Sequence, residues 1–99
     1  MPPVARIGDS AIVLHPTCSF LTKAATGSFN VFINGRPCHR VSDLNFPHTL
    51  GPPHCTPHFT PLIKGSTSVF VNGLPIARVT DVYLCRALLI TGSHNVFAG

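Results

Sequence analysis

Short apolar runs recur along this chain at a fixed distance from the same polar punctuation. Val69, Phe70 and Val71 precede Asn72-Gly73, and the stretch from Leu74 to Val79 follows. Val31, Phe32 and Ile33 stand in the same way before Asn34-Gly35. Asn-Gly between β-formers predicts a hairpin, because a type I′ turn needs positive φ at both central residues. Superimposing the two stretches gives the template G-S-x-x-V-F-x-N-G-x-P-x-x-R-V-x-D, at 27–43 and again at 65–81. A third copy is divided. Its first half, Gly92-Ser93-His94-Asn95-Val96-Phe97-Ala98-Gly99, lies at the end of the chain, and its second half, Pro3-Val4-Ala5-Arg6-Ile7-Gly8-Asp9, lies at the beginning.

Three hairpin units predict an all-β object with pseudo-three-fold symmetry. The divided copy predicts that the C-terminal strand pairs with the N-terminal one, which closes the object and hides two strand edges. The Pro two residues after each Asn-Gly cannot donate to a ladder and suits a strand edge or start. With 99 residues and almost nothing outside the repeats, residues 1–99 read as a single domain with no effector extension.

The connectors carry a different pattern. Residues 10–26 hold the apolar run Ala11 to Leu14, residues 82–91 hold Ala87 to Ile90 as a strand or one helical turn, and no long helix is predicted anywhere. Residues 44–64 contain Pro47, Pro52, Pro53, Pro57 and Pro61, which forbid a regular helix or a central strand.

Charge sharpens the repeat. The chain has three acidic residues, Asp9, Asp43 and Asp81, and each stands three positions after an arginine: Arg6, Arg40 and Arg78. That spacing predicts three structural Arg–Asp pairs or Asx caps at the strand exits rather than a catalytic carboxylate set. Only 10% of residues are charged against 44% apolar, so much of the surface is neutral and suited to an assembly. The net charge of +4 is scattered, without a basic run or an aromatic platform, so no nucleic-acid partner is expected. No apolar run reaches a membrane span and no signal-peptide pattern opens the chain, so a soluble protein made in the cytoplasm is expected.

The candidate chemistry collects in the connectors. His15, Cys18, His48, His54, Cys55, His58 and Cys85 lie outside the hairpin template, and only Cys38, His39 and His94 lie within it. If the three Arg–Asp exits are related by symmetry, the connectors leave one end of the object together and their His and Cys side chains converge. Zinc takes tetrahedral Cys and His ligands, and a proline-rich tip without a core needs such a staple. The alternatives are inert His and Cys residues, or disulfides among Cys18, Cys38, Cys55 and Cys85, which a chain without a signal peptide disfavours.

Pro75-Ile76-Ala77-Arg78 with Asp81, Pro37-Cys38-His39-Arg40 with Asp43, and Pro3-Val4-Ala5-Arg6 with Asp9 resemble the Pro-Ala-Ala-Arg motif and trailing Asp of PAAR-repeat proteins. The flanking G-S-x-x-V-F-x-N-G extends the resemblance over nearly the whole chain, although no copy spells the motif in full. The resemblance implies a small cone whose base caps the trimeric β-helix spike of a contractile injection machine, either a type VI secretion system or a phage tail. It also implies one structural Zn2+ near the vertex, held by three His and one Cys. Carried over by position, these are His15, His48, His58 and Cys85, with Cys18 and His54 in reserve. His58 and Cys85 each stand seven residues before a repeat glycine. The implied role is a bare spike tip that pierces a target membrane, is delivered outward on contraction, and carries any effector cargo non-covalently. Two rival readings are a zinc-stabilised adaptor for another protein and a small hydrolase. The hydrolase would use a metal on His15, His48 and His58, or Cys85 or Cys55 as nucleophile beside a His. It lacks any Glu to serve as general base.

Overall fold

The computed structural model describes residues 1–17 and 20–99, and among these there are only short strands, turns and bends, with no helix. The molecule is elongated, with extents of 40 × 24 × 21 Å. Both predicted hairpins form. β3 (Phe32–Ile33) pairs with β4 (Arg36–Pro37), and β7 (Phe70–Val71) pairs with β8 (Leu74–Pro75), each antiparallel. Their turns have positive φ at both central residues: 54° and 78° at Asn34 and Gly35, 55° and 79° at Asn72 and Gly73. The second strands are shorter than the apolar run from Leu74 to Val79 suggests. Ile76 still donates to Val69 within its hairpin but already bridges to Arg40 of another repeat.

The divided copy closes as expected. Pro3 pairs with Phe97 as Pro37 pairs with Phe32 and Pro75 with Phe70. The Val4 amide donates to the Val96 carbonyl just as Cys38 donates to Val31 and Ile76 to Val69. Chain start and chain end thus build the third hairpin between them.

The three P-x-x-R segments then meet around a common axis. Arg6 bridges to Cys38, Arg40 to Ile76 and Arg78 to Val4, a cycle in which each repeat pairs with the next. Inside it the Ala5 amide donates to the Ala77 carbonyl, Ala77 to His39 and His39 to Ala5, at 2.9, 2.9 and 3.1 Å. Strand alternation sends neighbouring side chains to opposite sides. Val4, Cys38 and Ile76 join Val71 and Ala98 in one apolar cluster, whereas Ala5 and Ala77 join Ala11, Leu62, Tyr83, Ala87 and Leu89 in another. The third position of that inner set is His39, completely buried, whose Nδ1 lies 2.7 Å from the Thr26 carbonyl and whose Nε2 lies 2.8 Å from the Tyr83 hydroxyl.

Each arginine turns its guanidinium onto the aspartate three residues on. Nε–Oδ2 distances are 2.9, 2.8 and 3.0 Å for Arg6–Asp9, Arg40–Asp43 and Arg78–Asp81, with a second contact of 3.1 Å from Nη2 to Oδ1 in every pair. The same aspartate Oδ2 accepts the arginine's own backbone amide. These bidentate pairs lock the turns that direct the chain out of the ring.

Beyond the turns the connectors build a second layer. β1 (Ser10–Ile12) lies between β2 (Leu21–Lys23) and β9 (Leu88–Leu89), all antiparallel. Ala24 bridges to Asn45, Leu44 to Pro61 and Leu62 to Tyr83, so each connector is stitched to its neighbour. The long proline-rich connector contributes the small hairpin of β5 (His48–Thr49) and β6 (Pro57–His58).

Candidate metal centre

Three connectors deliver four side chains to one point. His48 and His58 are direct cross-strand partners in the β5–β6 hairpin, which places both imidazoles on one face. His15 follows β1 in the loop that leads to β2, and the Thr17 hydroxyl ties that loop to the Thr49 carbonyl at 2.5 Å. Cys85 stands in a tight turn closed by hydrogen bonds from the Tyr83 amide to the Ala87 carbonyl and from the Arg86 amide to the Tyr83 carbonyl. Arg86 takes a positive φ of 73° there, which turns the chain back sharply.

The Nε2 atoms of His15, His48 and His58 lie 3.2, 3.1 and 2.8 Å from one another, and the Cys85 Sγ lies 3.4 Å from the His48 Nε2. All four donor atoms fall within 4.8 Å of one another. Bonds of about 2.0–2.1 Å to nitrogen and about 2.3 Å to sulfur give a tetrahedral zinc site edges of roughly 3.3 and 3.6 Å. The four atoms therefore stand near the corners of a polyhedron of the right size for a metal ion.

Proton placement makes the same point chemically. The His15 Nδ1 is 2.8 Å from the Pro16 carbonyl and the His48 Nδ1 is 3.2 Å from the Phe46 carbonyl. A carbonyl only accepts, so both rings carry their proton on Nδ1 and present a bare lone pair at Nε2. Two lone pairs thus face each other at 3.2 Å. One proton on His58 satisfies at most one of them, whereas a central cation satisfies all four donors. Burial holds His48 below the ordinary histidine range, opposed by the Phe46 carbonyl and aided by His15; burial, His48 and His15 lower His58 in the same direction. Both are therefore neutral at neutral pH, the form that binds metal.

The other sequence candidates lie elsewhere. His54 is exposed and outside the cluster, as is His94, and Cys38 is a buried thiol in the ring whose pKa burial pushes up to about 11. Cys18 lies outside the described residues. Disulfide bonding was disfavoured on the sequence, yet Cys55 is disulfide-bonded, while Cys38 and Cys85 are free thiols. Arguments from compartment do not speak to geometry, and so were a poor guide to this residue. Sequence reasoning also missed the residues behind the cluster. The Thr60 hydroxyl lies 3.1 Å from the Cys85 Sγ and is held by Asn45, and nothing in the spacing of the chain marks either residue.

The described residues thus define a class of small closed β-repeat, with three connectors gathered around a His3Cys cluster able to hold a metal ion. The PAAR motif family model matches residues 52–99. Those residues include one complete Pro-x-x-Arg-x-x-Asp copy, and the ring shows that the other two copies occupy equivalent places. The match over those residues, together with the three-fold repeat, supports a PAAR-repeat protein. That family is structural and is associated with the spike tips of contractile injection systems. No curated protein matches the chain. No helix of the described residues is long and apolar enough to cross a membrane.

Proposed function

We propose that this protein caps and sharpens the trimeric β-helix spike of a contractile injection machine, either a type VI secretion system or a phage tail. The observation that carries the reading is the ring: one chain presents three equivalent hairpins around an axis. At matching template positions stand Phe32, Phe70 and Phe97, each opposite a proline and each about half exposed. Three half-exposed apolar side chains at equivalent positions, one per repeat, suit a three-fold partner. A trimeric β-helix ends in unpaired strand edges and an open apolar core, which a cap of matching symmetry covers. The work is mechanical, and no turnover is assigned to any residue.

In this reading His15, His48, His58 and Cys85 hold one zinc ion. Bound there, the ion cross-links three connectors that have little core of their own, so the narrow end stays rigid during membrane penetration. With four protein donors the site is closed, which argues against a hydrolase needing an open position for water. The test is metal content and assembly together. We expect one zinc per chain in protein purified without tag or chelator, lost in Cys85→Ala and His58→Ala, and co-elution with the trimeric spike protein as a complex of one cap per trimer. Unchanged metal content in both variants would falsify the ligand assignment, and a cap that ignores the trimer in favour of monomeric ligands would point to an adaptor instead.

A further inference from the structure

Thr60 adjoins no repeat motif, yet its side chain reaches the cluster from behind. Its hydroxyl oxygen lies 3.1 Å from the Cys85 Sγ. Asn45, almost fully buried, grips Thr60 at three points. Its side-chain oxygen accepts the Thr60 amide at 2.9 Å, its side-chain nitrogen donates to the Thr60 Oγ1 at 3.2 Å, and its own amide donates to the Thr60 carbonyl at 3.2 Å. The Asn45 NH2 can only donate, so it occupies a lone pair of the hydroxyl and leaves the hydroxyl proton to point at sulfur.

We infer that Thr60, oriented by Asn45, is a positioning residue that donates a hydrogen bond to the Cys85 thiolate and sets the strength of its bond to the metal. The inference rests on the metal-centre reading given above. A thiolate accepting a hydrogen bond spreads part of its charge onto the donor. The contact also holds the side chain in one rotamer, which favours metal capture. The Pro16 and Phe46 carbonyls do the corresponding work for His15 and His48 by fixing the tautomer, so three of the four ligands have an identified outer partner. The partner is a hydroxyl and not a carbonyl because a thiolate, unlike a neutral imidazole, needs a donor.

The test uses the full chain loaded with Co2+, whose thiolate-to-metal charge-transfer band reports electron density on sulfur, and with Zn2+ in competition with a chromogenic chelator. Thr60→Val removes the proton at nearly constant shape, and Thr60→Ser retains it. We expect Thr60→Val to bind Zn2+ about 10- to 100-fold more weakly and to move the charge-transfer band to lower energy, with Thr60→Ser restoring both. Should Thr60→Val fail to fold, the comparison of Thr60→Ala with Thr60→Ser reads the same quantity. A band and an affinity unmoved in Thr60→Val, with Co2+ still bound through sulfur, would overturn the inference while leaving the metal centre intact. Absence of any thiolate band in the unmodified protein overturns the metal-centre reading itself, and this inference with it.

Discussion

Three residues at one template position show how the same backbone is met by different side chains. Gly8, Ser42 and Thr80 stand between the paired Arg and Asp, with φ of 89°, 79° and 78°. Each is the third residue of a turn in which the Asp amide donates to the Arg carbonyl at 3.0 Å. Only glycine adopts that conformation without cost, and β-branched threonine adopts it worst. Thr80→Gly is therefore expected to raise stability by up to about 1 kcal/mol despite the greater freedom of the unfolded chain, read as a higher midpoint in urea. His39 makes the opposite case, a demanding side chain where two repeats use alanine. Its replacement by Ala leaves the Tyr83 hydroxyl and the Thr26 carbonyl without their partner in a buried space. The expected loss is on the order of 3 kcal/mol or more. Burial lowers the His39 pKa, against the raising effects of the Thr26 carbonyl, Asp43 and Asp9 and with the help of Arg40. The unfolded chain thus takes up this proton first, and stability falls as pH drops below the ordinary value of 6.5. For Asp9, burial raises the pKa, but hydrogen bonds from the Arg6 side chain and amide and from Thr91 outweigh it and leave a lowered value. Its contribution is full above the ordinary 3.8 and is lost as pH falls through the lower folded value. Denaturation midpoints against pH should show both stages, and His39→Gln should shrink the first; an identical upper stage in that variant would mean that His39 is not its source.

At the scale of the element, the template glycines are places where two strands touch. A Cβ at Gly65 stands 2.8 Å from the Ile76 carbonyl oxygen and 2.8 Å from the Val41 Cγ2, and Gly27 and Gly92 meet the carbonyls of Cys38 and Val4 in the same way. Gly73 has open space around it and only its φ of +79° to defend. Gly65→Ala should therefore cost several kcal/mol by forcing strands apart, and Gly73→Ala only about 1, a ranking that thermal melts of the two variants check. These hairpins were legible because Asn-Gly, the glycine and the Arg–Asp spacing are local signals repeated in register. The connectors were less so. His48 and His58 are brought together by a hairpin only two residues long on each side, inside a proline-rich stretch with no periodicity to mark it. The seven connector side chains named a region, and position relative to the repeats narrowed it. The pairing that sets His48 in the cluster and leaves His54 exposed is a tertiary fact. Thr60 and Asn45 carried no signal at all, since ordinary polar residues acquire meaning only from what they face.

At the scale of the molecule, the apolar clusters are small and rich in alanine, so a metal at the connectors is expected to contribute a large share of stability. Chelation should lower the melting temperature and expose the amides of 13–17, 48–58 and 83–87 to hydrogen exchange, with the hairpin end less affected. Uniform exchange across both ends would argue that the ion does not act locally. The same end-to-end division predicts that Phe70→Ser weakens spike binding while leaving metal content unchanged, which pull-down and elemental analysis together check.

The ring of amides at Ala5, His39 and Ala77 brings residues more than thirty positions apart into direct contact, and it closes only when all three have arrived. Two repeats without the third have an open edge on each side and an uncovered core, so no smaller part of the fold is a resting place. Assembly must then be a single, late and slow step dominated by distant contacts. Once the ring has closed, it has no first strand to peel. An opening fluctuation must break the circle at two places together, and the protons of these three amides should exchange only as often as the entire molecule unfolds.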